Sequence, residues 1–285
     1  MDIKGAFREL QQKQQVAAKQ AKEARAPLIE VFHSVQGEGR FVGMPMTFLR
    51  VATCPIRCRY CDTPDSYAPP RSAPVSFGVR TQQEENPVRS SRAAELVRQV
   101  AKTVMPGIRT PRVSVTGGEP LGFPQFVREL GQGVRDHGMR VHLETAAHDP
   151  EALEACINQV DHLSADYKLP ETLRPPENKQ MQLRPGDDHG AQHLRCCEIA
   201  LRRGATVDVK IVLTADVLDV SFERALERLE GIRSKVLLVL QPVTPFGDCK
   251  RALPARDLER FVATAARGGF DVRAVPQTHK ALNLR

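Results

Sequence analysis

Apolar and polar positions alternate along this chain in two rhythms. Short runs rich in Val, Ile, Leu and Phe fall at Leu28–Phe32, Met46–Ala52, Arg112–Thr116, Val141–Thr145, His162–Asp166, Thr206–Leu213, Lys235–Leu240 and Phe270–Val275. Their length and side-chain type predict strands. Between them lie longer stretches with apolar residues at helical spacing: Arg92–Met105, Pro124–His137, Pro150–Val160, Gly190–Arg203, Val217–Ile232 and Pro254–Arg267. Ser90 or Ser91 suits the N-cap of the first, and Gly138, Gly204 and Gly268-Gly269 suit C-terminal stops. Strand and helix taking turns on this scale predict a parallel sheet with helices outside. The expected fold class is α/β: a modified, partial (β/α)6 TIM-like barrel with extra strands.

Three segments break the rhythm. Residues 5–25 are rich in Gln, Ala and Lys without an apolar stripe, and predict an exposed helix or frayed tail ending near Pro27. Residues 64–92 are rich in Pro and Ser and predict a long loop; residues 171–188 predict a polar surface excursion. The expected organisation is an extension over 1–27 and one domain over 28–285.

Polar residues gather where the strands end. Cys54, Cys58 and Cys61 follow the Met46–Ala52 strand at C-x3-C-x2-C spacing. Three thiolates on one short loop can hold three irons of a [4Fe–4S] cluster and leave the fourth open to a small molecule. A zinc knuckle completed by a distant His or Cys is the alternative, although structural zinc commonly takes its ligands in pairs. Cys156, Cys196, Cys197 and Cys249 are too scattered for a second cluster. Before that strand, Gln36 and Glu38 in a glycine-rich turn offer an amide and a carboxylate to a ring with donor and acceptor edges, such as a pterin or purine. Arg50, a cation inside an apolar strand, must pair with an acid or await an anionic ligand. Gly117-Gly118-Glu119-Pro120 and Glu144 sit at strand ends, where a barrel keeps its chemistry. Glu144 could equally be a structural ion-pair partner, and Gln241-Pro242 a plain strand end.

Composition narrows the classes. Net charge is +7, from 41 basic and 34 acidic residues, and aromatics make up 5%. No basic block is interleaved with aromatics, so nucleic-acid binding is not expected; a mildly basic surface suits small anions. No apolar run reaches about 18 residues and the first residues lack an apolar core, so neither a membrane span nor a signal peptide is expected. Seven cysteines without a disulfide-framework spacing fit a reducing, cytoplasmic setting.

The cysteine spacing resembles that of the radical S-adenosylmethionine (SAM) superfamily. Val35-Gln36-Gly37-Glu38-Gly39, Phe48-Leu49-Arg50, Cys61-Asp62-Thr63, Thr116-Gly117-Gly118-Glu119-Pro120, Leu143-Glu144-Thr145, Leu240-Gln241-Pro242 and Gln277-Thr278-His279-Lys280 occur in this order. Together, from about Leu28 to Arg285, they resemble the 7-carboxy-7-deazaguanine synthase family within it. The resemblance implies a partial barrel of the radical SAM type, usually a homodimer. It implies a carbon–nitrogen lyase that contracts the ring of 6-carboxy-5,6,7,8-tetrahydropterin with loss of ammonia, on the route to queuosine and other 7-deazapurines. A [4Fe–4S] cluster, SAM, Mg²⁺ and an electron donor such as flavodoxin or ferredoxin come with it. Carried over by position, Cys54, Cys58 and Cys61 would hold the cluster and Thr63 the Mg²⁺. Val35, Gln36, Gly37, Glu38, Arg50, Thr116, His279 and the terminal carboxylate at Arg285 would meet substrate. Tyr60, Gly118, Glu119, Glu144, Ser164, Asp166, Gln241, Pro242, Val243 and Thr244 would hold SAM. An activase acting on a partner protein is a rival within the superfamily, but leaves the Gln-Gly-Glu-Gly and Gln-Thr-His-Lys segments unexplained.

Overall fold

The computed structural model describes residues 22–174 and 189–284. Most of the 1–27 extension, most of the 171–188 excursion and Arg285 therefore lie outside the described residues. In chain order the strands are β1 (Arg25–Ala26), β2 (Leu28–Val35), β3 (Pro45–Val51), β4 (Ser72–Phe77), β5 (Arg80–Glu85), β6 (Val88–Arg89), β7 (Arg112–Gly117), β8 (Arg140–Thr145), β9 (His162–Tyr167), β10 (Thr206–Leu213), β11 (Leu237–Pro242) and β12 (Asp271–Ala274). The helices are α1 (Ser90–Val104), α2 (Pro124–Arg135), α3 (Pro150–Cys156), α4 (Gly190–Arg202), α5 (Asp219–Leu229), α6 (Ala255–Arg267) and the short α7 (Thr278–Ala281).

Ten strands form one sheet in the order β12-β11-β10-β9-β8-β7-β3-β2-β4-β5. Neighbours from β3 through β7, β8, β9, β10 and β11 to β12 run parallel. The first six of these are the expected barrel strands, each followed by a crossover that packs a helix on the outside. On the other side of β3, β2 pairs antiparallel and carries β4 and β5. The sheet keeps two edges, so the barrel is open.

The sequence pattern dictates the two faces. Side chains alternate across a strand, and the outward residues Leu49, Val51, Val113, Val115, Val141, Leu143, Leu163, Val209 and Ile211 are fully buried in one core with the helices. A sheet buried on both faces normally reads as a continuous apolar run. Here every second residue is polar instead: Ser114 and Thr116 on β7, His142 and Glu144 on β8, Ser164 and Asp166 on β9, Asp208 and Lys210 on β10. Register stacks them side by side, with Ser114 opposite His142, Glu144 opposite Ser164, and Asp166 opposite Lys210. The inner face is thus a lined cavity rather than a second core.

The connection between β2 and β3 crosses that inner face. Gln36 and Glu38 stand near the C-terminal ends of the parallel strands, and Gly39–Phe41 turns toward their N-terminal ends. There the Arg40 N–H and Nε–H each donate to Asp208 at 2.8 Å. Phe41 packs edge-on to His142 and His162, with Arg112 across its ring. This turn plugs the bottom of the barrel.

Two expectations change. Residues 64–92 are not a loop: β4 and β5 form a hairpin around Gly78 (φ +75°) and extend the sheet. Pro74 disguises the strand, because a proline lacks a ladder donor and argues against a strand flanked on both sides, as β4 is by β2 and β5. Val75 is fully buried and registers opposite Val31. Residues 24–26 are also part of the fold. Ala26 is fully buried, β1 pairs with β6, and the Ser90 N–H donates to the Ala24 carbonyl at 3.0 Å. Helix α1 starts at Ser90 without a serine cap; Glu23 accepts the Ser91 N–H and the Ser90 hydroxyl, so a carboxylate from the preceding segment does the capping. No helix among the described residues is long and apolar enough to cross a membrane.

Candidate active site

A cavity of about 480 Å³ opens at the C-terminal ends of the parallel strands. The cysteine loop forms one wall. It leaves β3 through Thr53, which takes a left-handed conformation (φ 68°). Main-chain bonds hold its outer side: Arg59 N–H to Thr172 O and Arg174 N–H to Arg57 O, both 2.8 Å. The Arg57 guanidinium donates to the carbonyls of Cys54 and Ile56 and lies 4.0 Å from the Tyr67 ring centre. Ile56, Cys58, Ala146 and Leu173 pack as a small apolar cluster behind the sulfurs.

Cys54, Cys58 and Cys61 all line the cavity and none is disulfide-bonded. Burial, with Glu119 adding repulsion, pushes the Cys54 thiol up to about 12, and burial raises Cys58 as well. Such thiols give up their protons only to a metal, whose charge replaces the proton's. A single zinc would gather tetrahedral thiolates to about 3.8 Å apart, given Zn–S bonds near 2.3 Å. Among the described residues no set of three or more His, Cys, Asp or Glu groups is gathered as a metal ion would hold them, the three cysteines included. A cubane cluster takes one thiolate per iron from separate corners, and three cysteines on an apolar-backed loop facing a cavity fit it.

The Gly-Gly-Glu-Pro loop packs directly on this loop. The Gly118 N–H donates to Val51 O at 2.8 Å and the Glu119 N–H to Thr53 O at 2.9 Å. A Cβ on Gly118 would stand 1.9 Å from the Thr53 carbonyl oxygen, so only glycine permits this approach. The Glu119 carboxylate turns sideways and accepts from Leu121 N–H, the Thr145 hydroxyl and Ala146 N–H. It ties the ends of β7 and β8 together, which leaves the main chain of this loop as its face toward a ligand.

The inner-face residues form two connected groups. Glu144 accepts from the Gln36 amide at 2.9 Å, from the Ser114 hydroxyl and from the Thr116 hydroxyl at 3.4 Å. Beside it, Lys210 bridges Glu38 (2.6 Å) and Asp166 (3.3 Å), and Lys168 joins Asp166 (2.8 Å) to the Tyr60 hydroxyl (3.1 Å). Burial alone would raise the Asp166 carboxyl, but the two ammonium groups hold it below the usual range. Asp166 Oδ1 and Gln241 Oε1 are buried without a hydrogen-bond partner, as expected of atoms that await a ligand.

The end of the described chain forms the last wall. The Thr278 N–H donates to Gly37 O at 3.0 Å, and a Cβ on Gly37 would stand 2.1 Å from His279 Nδ1. The Gln277 amide bridges Glu38 and Asp62 at 3.0 and 3.1 Å, and Lys280 Nζ reaches Asp62 at 2.6 Å.

Of the residues singled out in the sequence, Val35, Gln36, Gly37, Glu38, Arg50, Cys54, Cys58, Tyr60, Cys61, Thr63, Thr116, Gly118, Glu119, Glu144, Ser164, Asp166, Gln241, Val243, Thr244 and His279 come together on this cavity. Pro242 does not; it closes β11, opposite Leu213. Arg50 pairs through its Nε–H with Glu30 at 3.0 Å, yet its guanidinium stays on the cavity wall above Phe32. The Thr63 hydroxyl lies 3.9 Å from Cys61 Sγ, and its neighbour Asp62 is taken by Gln277 and Lys280. A Mg²⁺ here must find most of its oxygen ligands on substrate and water. Sequence reasoning missed Lys168, Lys210, Asp62, Gln277, Tyr67, Phe32 and Phe48 as lining residues. Polar residues two apart inside an apolar strand, such as Asp208 and Lys210, were the available signal.

An open parallel barrel with three thiols at its C-terminal rim defines a class, and residues 50–229 match the family model described as the radical SAM superfamily. The chain is 35% identical to 7-carboxy-7-deazaguanine synthase from Geobacter sulfurreducens, over 90% of this chain and 96% of that protein. It is 32% identical to the protein of the same name from Methanothermobacter thermautotrophicus, over 92% and 98%. The crystal structure of QueE from Escherichia coli superposes with a TM-score of 0.57 at 21% identity, over 90% of this chain and 95% of that one, a likeness of fold. The chain belongs to the 7-carboxy-7-deazaguanine synthase family of radical SAM enzymes.

Proposed function

We propose that this enzyme is a radical SAM lyase that converts 6-carboxy-5,6,7,8-tetrahydropterin to 7-carboxy-7-deazaguanine with loss of ammonia, serving queuosine and other 7-deazapurine routes. The observation that carries this is convergence: the Gln36–Glu38 turn, the cysteine loop, the Gly117–Glu119 loop and the Gln277–Lys280 segment all meet on one cavity. Cys54, Cys58 and Cys61 hold the [4Fe–4S] cluster, which with SAM supplies one-electron radical chemistry. The protein's share is binding, orientation and exclusion of water.

In this reading the Gly118 main chain, Tyr60, Glu144, Ser164, Asp166, Gln241, Val243 and Thr244 hold SAM, with Glu119 bracing the loops. Gln36 and Glu38 take the polar edge of the pterin, between Gly37 and His279. Arg50 takes its carboxylate: the Glu30 pair uses one edge of the guanidinium, and a planar fork has donors to spare. Thr63 gives a Mg²⁺ one oxygen, and Thr116 closes on the ring. One domain over 28–285 that also takes in residues 24–26, a homodimer, a flavodoxin- or ferredoxin-like donor and a cytoplasmic setting complete the proposal; unpaired cysteines suit a reducing compartment.

The test is anaerobic incubation of cluster-reconstituted protein with SAM, reductant, Mg²⁺ and 6-carboxytetrahydropterin. The expected products are 7-carboxy-7-deazaguanine and ammonia in equal amounts. SAM cleavage with the pterin unchanged would sink the substrate assignment.

A further inference from the structure

Glu38 stands where distant parts of the chain meet. Its Oε2 accepts from Lys210 Nζ on β10 at 2.6 Å, and its Oε1 from Gln277 Nε2 in the last segment at 3.0 Å. The partners are 172 and 239 positions away in sequence. Lys210 is itself 8% exposed, so its charge serves this pair and Asp166 rather than solvent. An ionised carboxylate has about four acceptor sites. Two are used here, and Glu38 still lines the cavity.

We propose that Lys210 and Gln277 are positioning residues that set substrate choice: they clamp the Glu38 carboxylate from two sides so that its remaining acceptor sites meet the N–H donor edge of a guanine-like ring. This rests on the pterin reading above and extends it to why that ring is selected. A ring presenting a carbonyl at that edge would meet acceptors only, and a buried mismatch of this kind discriminates far better than a lost methylene.

Electrostatics supports the clamp. Burial would raise the Glu38 carboxyl, but Lys210 foremost, with Gln277 donating and His279 near, holds it at about 2. The other charged groups around it are Asp166 on β9 with Lys168 paired to it, Glu144 on β8 through Gln36, Asp62 with Lys280 paired to it beyond Gln277, and the Arg40–Asp208 pair below. Lys210 is the cation that touches Glu38. Without it, burial prevails, and the carboxyl takes up a proton at higher pH.

The test uses anaerobic holoenzyme and Lys210→Met, Lys210→Arg and Gln277→Leu, with kcat and KM for 6-carboxytetrahydropterin followed across about pH 6 to 8. Iron and sulfide content are measured on each, with a 2,4-dioxo pteridine analogue as competitor. The wild-type contribution of Glu38 is flat over this range. Lys210→Met raises KM on the order of tenfold to a hundredfold, as expected for a charged hydrogen bond, and more so as pH falls. Lys210→Arg restores most of the affinity. Gln277→Leu raises KM with a weaker pH dependence, and both lesions let the dioxo analogue compete better. A KM within about twofold of wild type in both variants, or a Lys210→Met loss confined to kcat and equal at every pH, overturns the clamp. If Lys210→Met does not load a cluster, the half-buried Gln277→Leu decides alone. Wild-type protein that ignores the pterin would overturn the functional reading, and the clamp with it.

Discussion

At the scale of single residues, the loops of the site are held together by buried polar groups. Glu119 is the clearest. Its carboxylate is 2% exposed and accepts from two loops at once. Glu119→Gln swaps acceptor capacity for an amide that cannot satisfy the same donors, and is expected to cost about 1–3 kcal/mol. Thermal unfolding would show it as a lower Tm, together with weaker SAM binding. Gly118→Ala acts through the backbone instead. Its added methyl must displace the Thr53 carbonyl, and cluster content after reconstitution should fall. Retention of full cluster content by Gly118→Ala would mean that the two loops can part without harm.

At the scale of elements, the hairpin β4–β5 tests how sheet and chemistry divide the chain. Val75 is fully buried in the main core. Val75→Ala is expected to cost about 2 kcal/mol through lost burial and the cavity left behind, where a loop residue would cost almost nothing. Chemical denaturation would separate the two. The barrel strands and their helices were legible because period-2 and period-3.6 runs alternate cleanly. The hairpin was not: Pro74 interrupts its pattern, and β5, with Arg80, Thr81, Gln82, Gln83, Glu84 and Glu85, has no apolar face at all. The cysteine loop and its partners were legible because metal chemistry needs fixed residue types at fixed spacing. Lys210 on β10 and Lys168 just past β9 were not, because neither position says which acids the fold sets beside it.

At the scale of the whole molecule, buried histidines link stability to pH. Burial lowers His142 to about 4 and His193 to about 3. Each stays neutral in the folded chain, while the unfolded chain takes up protons below about 6.5. Stability from this source is complete above that value and is lost as pH falls toward the folded-state values, at about 1.4 kcal/mol per unit for each histidine. The Tm should therefore decline between about pH 6.5 and 5, before ordinary carboxylates titrate. His193→Leu, in a pocket where Nε2 has no partner, should reduce that slope. An unchanged slope would assign the acid sensitivity elsewhere.

The plug at the bottom of the barrel bears on how the chain reaches this state. Arg40 and Asp208 are 168 positions apart, and the turn that carries Arg40 is made before every parallel strand it touches. A barrel of βα units can otherwise grow neighbour by neighbour, each strand settling on the last. Here the growing sheet must close around a turn whose anchor arrives only with β10. Contacts of such separation slow folding, because chain entropy is lost before the contact repays it. On a ribosome, the Phe41 contacts to β8 and β9 can form first, but the plug's charged anchor waits for β10, and the enzyme would become one cooperative body only late in synthesis.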